Sequence, residues 1–256
     1  MRKSIIAAAF ASLAILPAAA SGAEEPPHVD YSFAGVFGTF DPVQLQRGFQ
    51  VYKEVCAACH SLKFVAFRNL GDAGGPHFTE AEVKALAAGY DVAAIDNETG
   101  EATTRKGLPS DHIPAPFPNE IAAKAANNGS APPDLSLMAK AREGNASYIH
   151  AILTGYDHPV PEGVQVPEGG NYNPYFPGGV IAMPKPLSDG QVEYADASVP
   201  RTVDQYAKDV SAFLMWTAEP KMEVRKRVGF GAILFLGALS VLLYLSYRRV
   251  WRNVDH

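Results

Sequence analysis

Cys56 and Cys59 stand three positions apart and His60 follows directly, in the run Cys56-Ala57-Ala58-Cys59-His60. Two thiols at that spacing beside an imidazole are the attachment signature of a c-type haem. Each sulfur adds across one vinyl group of the porphyrin, and the adjacent histidine reaches the iron from the proximal face. The order matters, because Cys-x-x-Cys without the histidine reads as a redox dithiol. These are the only two cysteines in the chain, which poorly serves a structural zinc site, since zinc takes four N/S ligands in paired clusters. One covalent haem c is the expected cofactor, with His60 as an axial ligand.

A sixth iron ligand has to come from elsewhere. Met183 lies in Gly178-Gly179-Val180-Ile181-Ala182-Met183-Pro184-Lys185-Pro186, where flanking prolines can hold a loop methionine against iron. A thioether there stabilises ferrous iron and raises the potential. Met138 is the rival, but its spacing from Leu135 places it on a predicted helix where packing is the commoner role. Met215 and Met222 adjoin the last helix and the membrane. His112, His150 and His158 remain as lesser candidates, and any of them as ligand would lower the potential.

Helices must position these groups. Asp41 and Pro42 form a cap and first-turn proline, opening a helix through Val43, Leu45, Gly48, Phe49 and Tyr52 that runs into the Cys-His motif. Thr79 with Glu82 makes a capping box and Gly89 a stop. Residues 134–144 and 145–155 read as two short helices ending in glycine. Thr202 with Gln205 starts another, whose apolar positions Val203, Tyr206, Val210, Phe213 and Leu214 follow helical spacing until Pro220 ends or kinks it. Residues 155–189, rich in proline and glycine, read as a long ordered loop. Strand alternation is absent, so the expected fold is mainly α: a cytochrome c-like haem domain with long loops. Gly48 would let the first and last helices of that domain cross closely, with Phe49, Tyr52 or Phe213 filling the contact.

The two ends of the chain carry different signals. Arg2 and Lys3, the apolar stretch Ile5 to Leu16 and the small residues Ala18 to Ala23 have the layout of a cleavable secretory signal over residues 1–23. Residues 24–220 form the haem domain. Residues 221–247 form a basic flank and a membrane anchor, because Val228 to Tyr247 is 20 residues without a charge, enough to cross about 30 Å of hydrocarbon. Arg225, Lys226 and Arg227 on one side and Arg248, Arg249 and Arg252 on the other mark the two surfaces, so loop charge alone leaves the helix unoriented. The signal orients it instead, leaving residues 248–256 as a short cytoplasmic tail. Between residues 24 and 220 there are 13 Lys and Arg against 25 Asp and Glu, a net charge of −12. Such a face steers a basic partner and argues against nucleic acid.

Five segments together resemble the cytochrome c1 family: Arg47 to Leu62 (RGFQVYKEVCAACHSL), Ala125 to Ser136 (AANNGSAPPDLS), Ile152 to Pro159 (ILTGYDHP), Asn173 to Leu187 (NPYFPGGVIAMPKPL), and DVSAFLMWTAEP before the basic flank and anchor. The resemblance implies the haem subunit of a quinol:cytochrome c oxidoreductase in a bacterial cytoplasmic membrane, with the haem domain in the periplasm. It implies single-electron transfer from a Rieske iron–sulfur protein to a soluble basic cytochrome c, beside a cytochrome b subunit, with no substrate bond chemistry on this chain. Carried over by position, Cys56 and Cys59 hold the porphyrin, His60 and Met183 ligate iron, and Lys124, Asn127 and Tyr175 border the haem. Lys124 departs from the arginine common at this position, retaining charge without bidentate geometry. A plain turn accounts equally well for Asn127, Asn128 and Gly129. The chain also lacks the cysteines with which some bacterial members brace the ligand loop, so Met183 must be held by packing or by a neighbour. An anchored cytochrome serving another dehydrogenase or oxidase would share the haem and anchor, but not these segments; a peroxidase or ligand sensor would need an open iron.

Overall fold

The computed structural model describes residues 23–253. The predicted signal segment before Ala23 and the last three residues of the predicted tail lie outside them. The first helix, α1, spans Pro42–Glu54, with Pro42 in its first turn and the Asp41 carboxylate accepting from the Val43 amide. A complete capping box between Thr79 and Glu82 starts α2, Glu80–Ala88, and Gly89 closes it. Later come α4, Ala146–Thr154, and α5, Val203–Ala218.

The core is organised by α5, which packs against α1 on one side and α4 on another. Gly48 makes the α1 crossing possible, because a methyl group there would sit 2.1 Å from the Asp209 carbonyl oxygen and 2.7 Å from the Phe213 Cβ. Around it, the Phe213 ring meets Phe49 at 5.6 Å and Tyr52 at 6.0 Å, as its helical spacing predicts. Asp209 is buried at the same crossing, and its carboxylate accepts from Arg47, Gln44, Gln205 and Tyr194. Four donors compensate a charge whose burial would otherwise be costly. Gln205 is thereby diverted from the reciprocal half of its predicted capping box, leaving Thr202 to accept from the Gln205 amide.

Three expectations need correction. Residues 134–144 do not form an α-helix; only a single 3-10 turn, Met138–Lys140, occurs there. The reason is tertiary: Asp134 and Ser136 bond to residues 61–64, and the Leu135 amide donates to the Ser61 carbonyl, so this backbone pairs with the Cys-His turn instead of coiling. Strands do exist. β1, Asp91–Ile95, pairs antiparallel with β2, Ala102–Lys106, and the two-residue strands β3, Asn171–Tyr172, and β4, Val180–Ile181, pin the base of the proline-rich loop. A short helix not anticipated from the sequence, α3, spans Glu120–Ala126 behind the cap Asn119. The arrangement is otherwise mainly α with long loops, as expected.

Beyond Pro220 the chain enters α6, Met222–Val250, 29 residues long and therefore about 44 Å from end to end. It is the one helix among the described residues long and apolar enough to cross a membrane, and none of its apolar stretch is buried in the protein. A buried core helix is thereby excluded.

Candidate functional site

The helix α1 delivers the Cys-His motif. It ends at Glu54, and a 3-10 turn, Cys56–Ala58, folds the chain back so that the Cys59 and His60 amides both donate to the Cys56 carbonyl. Tyr52, one turn earlier in α1, donates its hydroxyl to the His60 carbonyl at 3.0 Å. Both sulfurs and the imidazole are thus displayed from one tight turn.

The His60 ring is oriented from across the site. Its Nδ1 lies 2.8 Å from the Pro133 carbonyl oxygen, and since a carbonyl only accepts, Nδ1 carries the proton. Nε2 keeps its lone pair and has no hydrogen bond among the described residues. Burial pushes the imidazole below its ordinary value, which outweighs the opposite pull of the Pro133 carbonyl and the Asp134 carboxylate. A neutral imidazole with one nitrogen anchored and the other open is the form that binds a metal. Burial likewise pushes the Cys56 thiol up to about 12, whereas a redox dithiol needs an accessible thiolate near neutrality. The donor set fits a covalently held haem better than disulfide exchange.

The Pro133 carbonyl is itself held in place. Asp134 accepts from the Ser61 hydroxyl at 2.7 Å, the Lys63 amide at 2.9 Å and the Ser136 amide at 3.0 Å. Its burial raises the carboxyl, but these bonds together outweigh it and hold Asp134 below its ordinary range. Beside it, a cleft of about 350 Å³ is lined by Cys59, Phe117, Pro118, Asn119, Ala123 and Pro133, among others. The first turn of α3 therefore borders the cysteine turn.

Met183 enters from the long loop. Half-buried, it packs both against the main core and against the smaller cluster of Ala151, Ile152, Tyr175 and Ile181. Its carbonyl accepts from the Tyr156 hydroxyl at 3.0 Å and the Asn171 side-chain amide at 3.2 Å, and nearby Lys185 pairs with Asp157 at 2.7 Å. These are neighbours of the kind that a loop without a disulfide requires, and sequence reasoning did not name Tyr156 or Asn171. The GYD turn after α4 was the available signal. Tyr175 is buried in the same cluster with the His158 ring edge-on to it at 5.7 Å.

The other predicted residues are placed differently. Exposed Lys124 pairs with Glu120 one turn earlier in α3 at 2.6 Å. Asn127 caps the end of that helix, its side-chain amide donating to the Ala123 carbonyl at 2.8 Å, and the Gly129 amide donates to the Lys124 carbonyl. Asn128 and Gly129 both take positive φ, 51° and 83°, so the NNG run works as a helix-terminating turn. Met138 packs on the main core, His150 is 2.9 Å from the Asp204 carboxylate, and His112 bridges backbone with Ala66.

The family model described as "Cytochrome C1 family" matches residues 31–254, from ahead of α1 to beyond α6. A protein named cytochrome b/c1 from Bradyrhizobium diazoefficiens is 52% identical over 250 residues, covering 91% of this chain but 36% of that protein, so the chain spans about a third of that relative's length. Mitochondrial cytochrome c1-2 of Solanum tuberosum is 49% identical over 241 residues, covering 94% of this chain and 90% of the relative. Cytochrome c1 of Rhodospirillum rubrum is 46% identical over 242 residues, covering 89% and 88%. With both the cysteine turn and the methionine loop inside the matched span, the chain belongs to the cytochrome c1 family.

Proposed function

We propose that this chain is the haem subunit of a quinol:cytochrome c oxidoreductase, passing single electrons from a Rieske iron–sulfur protein to a soluble basic cytochrome c while anchored beside a cytochrome b subunit. The observation that carries the reading is the His60 ring, anchored at Nδ1 by the Pro133 carbonyl with Nε2 left open beside Cys56 and Cys59. Cys56 and Cys59 would tether the porphyrin as thioethers, and His60 and Met183 would be the axial ligands. When bound, the haem supplies a one-electron ferric/ferrous couple, so no substrate bond is made or broken on this chain.

The chain's own residues then set the conditions for transfer. The Pro133 carbonyl keeps the imidazole proton on Nδ1 and directs the Nε2 lone pair to one side. Tyr156 and Asn171 fix the loop backbone at Met183, which limits how far a thioether there can swing away. An acidic domain with a net charge of −12 over residues 24–220 draws a basic acceptor toward it. The anchor α6 would hold that domain at a bilayer surface, and the N-terminal signal expected from the sequence directs it to the periplasmic side of a bacterial cytoplasmic membrane.

An equilibrium redox titration of the purified protein, compared with Met183→Leu, tests the reading. The expected result is a high potential in the parent that falls in the variant while the haem stays covalently attached. A potential indifferent to the substitution would remove Met183 as ligand and return the chain to the anchored cytochromes that serve other enzymes.

A further inference from the structure

The segment Tyr31 to Phe40, YSFAGVFGTF, is a closed loop ahead of α1 with two faces. Its ends are joined by the Thr39 amide donating to the Ser32 carbonyl, and the Ala34 amide donates to Tyr31. Gly35 takes a φ of 71°, and a side chain at Gly38 would collide with the Ala34 carbonyl at 2.0 Å, so only glycine closes this turn. Tyr31, Phe33 and Phe40 point inward and stack in the core. The tip does the opposite: Val36 is 63% exposed and Phe37 78% exposed.

A single exposed apolar residue would need no explanation. This pair differs because of where the loop is fastened. Lys226, at the start of α6, donates its ammonium to the carbonyls of Phe33 at 2.6 Å and Gly38 at 3.0 Å, and the Glu223 carboxylate accepts from the Phe40 amide at 2.8 Å. The loop is thus clamped to the anchor at the basic collar. Beyond that collar, the Phe37 ring meets Phe230 edge-on, with centroids 5.5 Å apart. Phe230 lies four residues past Lys226, about 6 Å further along the helix axis. Phe37 therefore sits on the membrane side of the charges, beside a ring that already belongs to the span.

We propose that the Val36-Phe37 tip is a second membrane foot, inserted at the boundary between phospholipid headgroups and acyl chains. The occupant follows from continuity: the tip extends the exposed apolar surface of α6, and Arg227 stands in the collar as the kind of cation that such a boundary favours, while Arg225 is paired with Glu219. A transmembrane helix alone is a pivot; a rigid loop contacting lipid at its side fixes the tilt of the haem domain over the bilayer.

The test is photocrosslinking in native membranes carrying the assembled protein. Phe37 is replaced by p-benzoylphenylalanine, with Ile95 of the β1 strand, equally open at 70% exposure, replaced in the same way as a reference. After irradiation the mass of the chain is measured. The expected result is a phospholipid adduct at position 37 at least roughly tenfold above that at position 95, with the same adduct when Val36 carries the analogue. A crosslink from both tip positions to another protein chain would overturn the proposal by showing a protein neighbour there. Absence of any adduct above the reference would overturn it by placing the tip in water. None of these readouts depends on haem or on electron transfer.

Discussion

Gly48→Ala tests whether the close crossing of α1 and α5 holds the folded core together. The added Cβ would lie 2.1 Å from the Asp209 carbonyl oxygen, and reaching even 3.0 Å requires a retreat of about 0.9 Å. The obstacle is backbone, so no side-chain rotation relieves it; the two helices must separate. Separation loosens the contact of Phe213 with Phe49 and Tyr52 and strains the bonds from Arg47 and Gln44 to Asp209. Overpacking of this kind costs about 1–3 kcal/mol and more where backbone must move, while alanine in place of glycine returns about 1 kcal/mol of helix propensity. The clash wins by about 2 kcal/mol, which for a domain of this size lowers the unfolding midpoint by about 4–8 °C. Thermal unfolding of the purified full-length protein, followed by circular dichroism, reads this directly. Gly237→Ala in α6, where the new methyl meets nothing within 4 Å, should leave the same transition in place. A midpoint for Gly48→Ala equal to the parent's or higher would refute the close crossing, since propensity alone would then be acting.

Three further outcomes are expected. Asp134→Ala should destabilise the protein by about 2 kcal/mol at pH 7, the scale of bonds to a charged acceptor; because the folded carboxyl lies below its ordinary value, the part of that contribution tied to its charge is whole at neutral pH and begins to decline as the pH falls below about 4. Denaturant titrations at pH 7 and pH 3 should show the gap narrowing, and a gap unchanged in acid would remove the carboxylate's role. Tyr156→Phe deletes one bond to the Met183 carbonyl, worth about 1 kcal/mol, and should increase carbon monoxide binding to the reduced protein; a difference spectrum identical to the parent's would show that this bond restrains nothing. Turnover with a basic cytochrome c should decline severalfold between about 50 and 200 mM salt as screening shortens the reach of the acidic face, and a flat profile would rule out electrostatic steering.

Much of the architecture is legible in the chain because the signals are local. Asp41-Pro42, Thr79 with Glu82 and Thr202 mark helix starts by side chains that satisfy amides within a few residues, and each acts as a cap. The uncharged run inside α6 and the Cys-His turn are equally self-contained. What escaped detection depends on distant partners or lacks periodicity. The strands β1 and β2 are half-exposed or exposed along their length, so no alternation of apolar and polar residues betrays them. Residues 134–144 have helical composition, yet residues 61–64 capture their polar groups first. The same long-range pairing gives His60 its orientation and Met183 its hydroxyl partner, and nothing in the sequence near either residue indicates which partner it takes.

The partner chosen for His60 is a peptide carbonyl, and that choice has an effect on how the site responds to its surroundings. A carboxylate in the same place would gain or lose a proton with the medium, and the electron-donating strength of the imidazole would drift with it. The Pro133 carbonyl has no proton to exchange. The nearest acid, Asp134, is held ionised below its ordinary range by the bonds already described. Across the neutral and mildly acidic range the environment of the ring therefore keeps a constant charge, and the imidazole is insulated on that side from changes in the acidity of the medium.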